Sequence, residues 1–142
     1  MKTVSASIVV PGPPVEVEQL WHDRSRWASW IDGYGHLVKF EGEWPLEGAR
    51  RLRQARDGIV AERVIDHRAG RSHTVFIEDE RIAGQQRVRF EGDASATRIT
   101  LELDVSTKRR LPPAREWWLR RKLGESLRRT LQRFSYELAA DR

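Results

Sequence analysis

Between Pro113 and Ala140 the apolar residues Leu119, Leu123, Leu127, Leu131, Phe134 and Leu138 recur three or four positions apart. That spacing puts them on one stripe of an amphipathic helix. At ~1.5 Å per residue such a helix spans roughly 40 Å, the width of a whole small domain. Its apolar stripe has to be covered along that length, so the rest of the chain must wrap along the helix.

What precedes it reads as strands. Residues 3–10 alternate, with Val4, Ala6, Ile8 and Val10 on one face. Pro11-Gly12-Pro13-Pro14 ends that strand, and Pro14 is placed to open a short helix whose buried side is Val17, Leu20 and Trp21. Asp23 breaks it, and a second short helix over 25–31 carries Trp27, Trp30 and Ile31. Strands are predicted at 36–43, 49–56, 59–66, 72–79, 85–91 and 97–106, separated by turns such as Asp57-Gly58 and Ala69-Gly70. Short turns between consecutive strands imply an antiparallel sheet. The order of strand, two short helices, six strands and long helix gives one α+β domain over 1–142, about seven strands curved around a C-terminal helix.

Composition narrows the function. The 142 residues contain no cysteine, which excludes disulfides, thiolate zinc sites and thiol nucleophiles. No apolar run approaches the ~18 residues of a membrane span. Ile8-Val9-Val10 stops at Pro11, too short for the apolar part of a signal peptide, so a cytoplasmic protein is expected. The net charge of +5 is uneven: residues 108–142 hold eleven Lys and Arg against four Asp and Glu. That is either a solvated helix face or a surface for an acidic partner. Nucleic acid is not expected, because no reader motif accompanies the charge.

The order of elements, together with particular residues, resembles the polyketide cyclase/dehydrase branch of the START-like (Bet v 1-like, SRPBCC) superfamily. The residues are Ile8-Val9-Val10 followed by proline; the helix from Val15 to Trp21; Asp23, Trp27 and Trp30, similar to a D-x-x-x-W-x-x-W stretch; and Ala96-Thr97-Arg98-Ile99-Thr100, similar to G-T-R-V-T. The resemblance implies a helix-grip fold holding a hydrophobic or aromatic, polyketide- or lipid-like molecule between sheet and helix. It also implies a possible cyclase or dehydrase activity, with a carrier protein as an acidic partner. Tyr34 and Arg63 fall where aromatase/cyclases carry a pocket tyrosine and arginine. A second arginine of those enzymes has no counterpart in His73-Thr74-Val75-Phe76-Ile77, a departure that bears on the reaction and leaves the fold untouched.

Candidate residues follow from strand phase. Arg63 shares a face with Ile59 and Ala61. If that face is concave, a guanidinium points into the cavity and can stabilise developing negative charge; if it is convex, Arg63 pairs with a neighbouring acid. A one-residue slip exchanges Arg63 for Glu62. Tyr34 either orients a carbonyl or is a loop tyrosine with a solvated hydroxyl. Gln86 shares a face with Val88 and Phe90, and its amide needs a ligand or a backbone group. His73 is either a proton carrier or a satisfied core histidine. Trp27, Trp30, Leu119, Leu123 and Leu127 complete the expected walls. His22, His36, His67 and His73 show no ligand spacing, so no metal is expected. The chain also lacks a nucleophile elbow, a phosphate loop and a dinucleotide fingerprint, so no cofactor is expected.

Overall fold

The computed structural model describes residues 3–141. Seven strands form one sheet in the order β1-β7-β6-β5-β4-β3-β2, with every neighbouring pair antiparallel. They are β1 (Val4–Pro11), β2 (Tyr34–Glu41), β3 (Arg50–Ala55), β4 (Gly58–Arg68), β5 (Ser72–Glu78), β6 (Ile82–Gly92) and β7 (Ala96–Thr107). Helix α1 (Pro14–Trp21) and the single-turn α2 (Trp27–Trp30) lie between β1 and β2, with a 3-10 turn at Arg24–Arg26 joining them. They carry the chain from one edge of the sheet to the other. Helix α3 (Pro113–Ala140) closes the fold. Among the described residues no helix is long and apolar enough to cross a membrane.

Local chemistry explains these boundaries. Both α1 and α3 begin with proline just inside the first turn, where its fixed φ fits and its missing N–H costs nothing. Arg56-Asp57 forms a two-residue turn, and Gly58 at φ 131° takes the conformation that a side chain would resist. Along β7, Ile99, Leu101, Leu103 and Val105 are buried while Arg98 and Asp104 are exposed. Burying each such side chain is worth about 1.5–3 kcal/mol.

The inner face of the sheet packs on α3 through Leu119, Leu127, Leu131, Phe134 and Leu138. Trp21, Trp30 and Phe134 meet with ring centroids 4.4–5.0 Å apart and fill one end. Gly124 lets α3 approach the edge strand closely: a Cβ there would lie 3.3 Å from Val4 Cγ1. At the turn between α2 and β2 the buried carboxylate of Asp32 fixes α3. It accepts from Arg129 Nε and Nη2 at 3.1 Å and from Ser126 Oγ at 2.8 Å, while Thr130 Oγ1 accepts from its backbone N–H.

Candidate functional site

The sheet and α3 part on the side away from β1. The cleft holds about 140 Å³; Val60, Ile77, Leu103, Leu123 and Leu127 form its apolar walls, Arg53 and Gln86 face it, and Asp32, Arg56, Asp57, Asp79 and Arg81 add charges of both signs to its lining. A smaller hole of about 20 Å³ lies deeper, among Trp21, Trp30, Trp44, Arg51, Glu62 and His73, and Gln86 borders both spaces. Size limits what can enter. A dry cavity of about 150 Å³ takes one benzene ring, and drug-sized sites run from about 300 Å³ upward.

Three charged side chains are buried beside this space. Arg51 bonds Glu62 through two parallel contacts of 3.0 Å, and Arg53 Nε reaches Glu62 Oε1 at 2.8 Å. The Arg51 guanidinium lies between the rings of Trp27 and Trp44, 4.3 Å from each centroid. Burial by itself would raise the Glu62 pKa, but the two arginines outweigh it and bring it from 4.5 to about 2. Burial pulls Arg51 below its usual value against the opposing pull of Glu62, and a guanidinium still stays charged at any ordinary pH. The group therefore carries one excess positive charge, and Arg53 presents it to the cleft.

The expected residues divide between the two faces. Gln86, Val88, Phe90, Trp27, Trp30, Leu119, Leu123 and Leu127 all lie on the inner side, where Gln86, Leu123 and Leu127 line the cleft itself. His73 points inward beside the deep hole. Tyr34 is partly buried, its ring 5.9 Å from the Arg53 guanidinium. Arg63, Ile59 and Ala61 belong to the opposite face, which corrects their expected place in the cavity. Val60, Glu62 and Val64 are the buried side of β4, while Ile59 and Arg63 are exposed. Arg63 sits over Phe76 in an outer groove with Ala61, Leu52 and Glu78.

The sequence profile described as "Polyketide cyclase / dehydrase and lipid transport" matches residues 1–138. The chain belongs to that family. No curated protein sequence matches it. Solved structures with the same fold include a START superfamily protein from Mycobacterium smegmatis, at TM-score 0.69 and 14% identity, covering 96% of this chain and 98% of the other. Protein MLL2253 from Mesorhizobium loti aligns at TM-score 0.76 and 12% identity over 98% of both chains. DynU16, from the dynemicin biosynthetic locus, aligns at TM-score 0.75 and 21% identity; all of this chain is covered, and it spans about half (49%) of DynU16. At such identities the likeness establishes the fold. Family and fold together make this a helix-grip domain of the polyketide cyclase/dehydrase and lipid transport family.

In this polyketide cyclase/dehydrase-family protein Gln86 is a polar residue of the cleft that the sequence points to, whereas the buried arginines beside it are not. Arg51 and Arg53 alternate with Leu52, a pattern that also suits a solvated edge strand, and only the inward turn of β3 buries them. A second cluster joins the elements themselves. Glu18, His22 and His67 bring ligand atoms within 4.8 Å of one another, with His73 against them. Linear spacing does not reveal this set because it draws on α1, β4 and β5. Burial, then the neighbouring His73, His67 and Arg51, lowers the His22 pKa to about 2. Burial, then Arg51 and His67, lowers that of His73 to about 3. Both are neutral imidazoles at pH 7.

Proposed function

We propose that this domain binds a small apolar or aromatic molecule, about one ring in size, in the cleft between the sheet and α3, with an oxygen substituent directed to Arg53 and Gln86. The observation that carries this reading is the pairing of a 140 Å³ cleft, part-walled by Val60, Ile77, Leu103, Leu123 and Leu127, with a buried cluster of net charge +1 that Arg53 brings to it. A phenolate, enolate or carbonyl oxygen satisfies the excess charge, while Leu103, Leu123 and Leu127 cover the ring. A larger polyketide- or lipid-like ligand fits the family and requires α3 to swing outward.

Binding is the better supported role. Glu62 is held ionised between two arginines, and His73 sits behind the deep hole. Cyclisation or dehydration would use the positive field of Arg53 to stabilise an enolate, with Tyr34 or His73 moving the proton. The test is titration with substituted phenols by calorimetry. Arg53→Met is expected to weaken binding about 10-fold or more, the loss of one charge-assisted hydrogen bond, and Leu127→Trp to abolish it by filling the cleft. Binding unchanged in Leu127→Trp refutes the location. Incubation with a carrier-bound polyketone tests catalysis, and a product mixture equal to the spontaneous one rules it out.

A second reading concerns the start of α3. Trp117 and Trp118 are 58% and 54% exposed, so neither is taken up by the core. Trp118 lines a surface groove of about 670 Å³ with Leu111 and three arginines, Arg81, Arg109 and Arg115, against one acid, Glu80. Its mixture of cations and apolar floor suits an acidic carrier protein that delivers the ligand. Charge reversal at Arg109 and Arg115 should abolish such binding, and affinity that does not change with salt argues against it.

A further inference from the structure

Eight buried side-chain nitrogen and oxygen atoms among the described residues make no hydrogen bond, and four of them belong to residues that meet at one place: Glu18, His22 and His67, whose ligand atoms lie within 4.8 Å of one another, and His73, whose ring packs against both histidines. They are Oε2 of Glu18 and Nε2 of His22, His67 and His73. A buried polar atom without a partner costs about 1–3 kcal/mol, so native structures hold few of them. A carboxylate oxygen and several imidazoles left without partners in one place form a donor set that a metal ion would satisfy. We propose that Glu18, His22 and His67 form a binding site for a divalent transition-metal ion, with His73 as an adjacent fourth donor.

The fold builds this site. Glu18 and His22 stand one helical turn apart at the end of α1 and face the same way. Glu18 Oε1 accepts from the Gly70 backbone N–H at 2.9 Å, which fixes the carboxylate and turns Oε2 toward His67 Nε2, 4.0 Å away. His67 is brought in by a bulge. The β4–β5 register shifts between Val64 and Asp66, after which His67 pairs directly with His73. Without the extra residue, period-two alternation from Val60, Glu62 and Val64 would turn Asp66 inward and His67 out. The three imidazole rings meet edge to face, with centroids 4.5–5.9 Å apart.

The donor set selects the ion. Two or three imidazoles and one carboxylate suit zinc, iron(II) or cobalt, and exclude a hard calcium cage. Zinc bonds of about 2.0–2.1 Å place tetrahedral ligands about 3.3 Å apart. The present spacing of up to 4.8 Å therefore closes by small side-chain rotations. His73 hydrogen-bonds the Pro45 backbone. Because its Nε2 is unbonded, that contact is made by Nδ1–H, which leaves the Nε2 lone pair for the metal. His22 Nδ1 accepts from Trp44 Nε1 at 3.2 Å. Ligation through His22 Nε2 moves its proton to Nδ1 and breaks that bond, so Trp44 reports on occupancy with no net proton release from His22. An ion here ties α1 to β4 beside the deep hole.

The experiment treats the full chain with chelator and titrates it with zinc, then with cobalt(II). One equivalent is expected to bind more tightly than about 10 μM. It should raise the melting temperature by about 5 °C, give the visible bands of tetrahedral cobalt and change Trp44 fluorescence. His67→Ala and Glu18→Gln, each checked for folding by circular dichroism, should lose at least the 10–100-fold that even an outer-shell partner is worth. Trp44→Phe should bind while losing the fluorescence change, and His36→Ala should behave as wild type. No binding by folded wild type up to about 100 μM, or equal affinity in His67→Ala, overturns the site.

Discussion

Glu62 is the residue on which the interior charge depends. It is 3% exposed and pairs with arginines that are 8% and 9% exposed. Removing its charge leaves two guanidiniums in a dry space without an anion. Glu62→Gln is therefore expected to lower stability by about 3 kcal/mol in urea unfolding. The sign with pH follows from the depressed pKa. The unfolded carboxylate titrates near 4.5 and the folded one near 2, so the contribution is complete above pH 4.5 and is lost as pH falls toward 2. The stability difference between wild type and Glu62→Gln should shrink across that window, and a constant difference would contradict the pairing. Arg63, its neighbour on the outer face, should behave otherwise: Arg63→Ala is expected to change stability by less than about 0.5 kcal/mol and to leave cleft binding unaltered.

At the scale of elements, α3 is held by its apolar stripe, by close contact with β1 and by the Asp32 clamp. Burial tends to raise the Asp32 pKa, and hydrogen bonds from Arg129 and Ser126 with the nearby charges reverse that, so the carboxyl is lowered overall. Asp32→Ala should lower stability by about 2 kcal/mol and speed amide exchange in the middle of α3. Gly124 tests the contact with β1. Alanine is favoured there by about 1 kcal/mol of helix propensity, while its Cβ would press on the end of the Val4 side chain at 3.3 Å. Val4 is only partly buried on an edge strand, so its methyl can yield. Gly124→Ala should gain about 0.5 kcal/mol, and Gly124→Leu should destabilise by pushing α3 off the sheet.

For the whole molecule, the question is how far the sheet and helix separate. They leave a cleft sized for one ring rather than a large cavity, with a charged inner wall and a basic, tryptophan-bearing outer rim. Fixing α3 to the sheet by a disulfide engineered across the mouth should preserve binding of single-ring ligands and block larger ones. Undiminished binding of both would place the opening elsewhere.

Much of this architecture is legible in the chain. The α3 stripe, the alternation of β7, the turns and the paired prolines are local patterns that backbone geometry converts directly into elements. The order of those elements leaves one compact arrangement. Strand β4 shows where that reasoning stops. From Ile59 to Ile65 both of its faces carry apolar residues and one charge, Arg63 on one side and Glu62 on the other, so a period of two cannot tell inside from outside. Packing against α3 chose Val60, Glu62 and Val64 for the interior. The bulge past Val64, the width of the cleft and the meeting of Glu18, His22 and His67 also depend on contacts between residues far apart in sequence. Periodicity along the chain carries no information about those distances, and only the closed tertiary structure sets them.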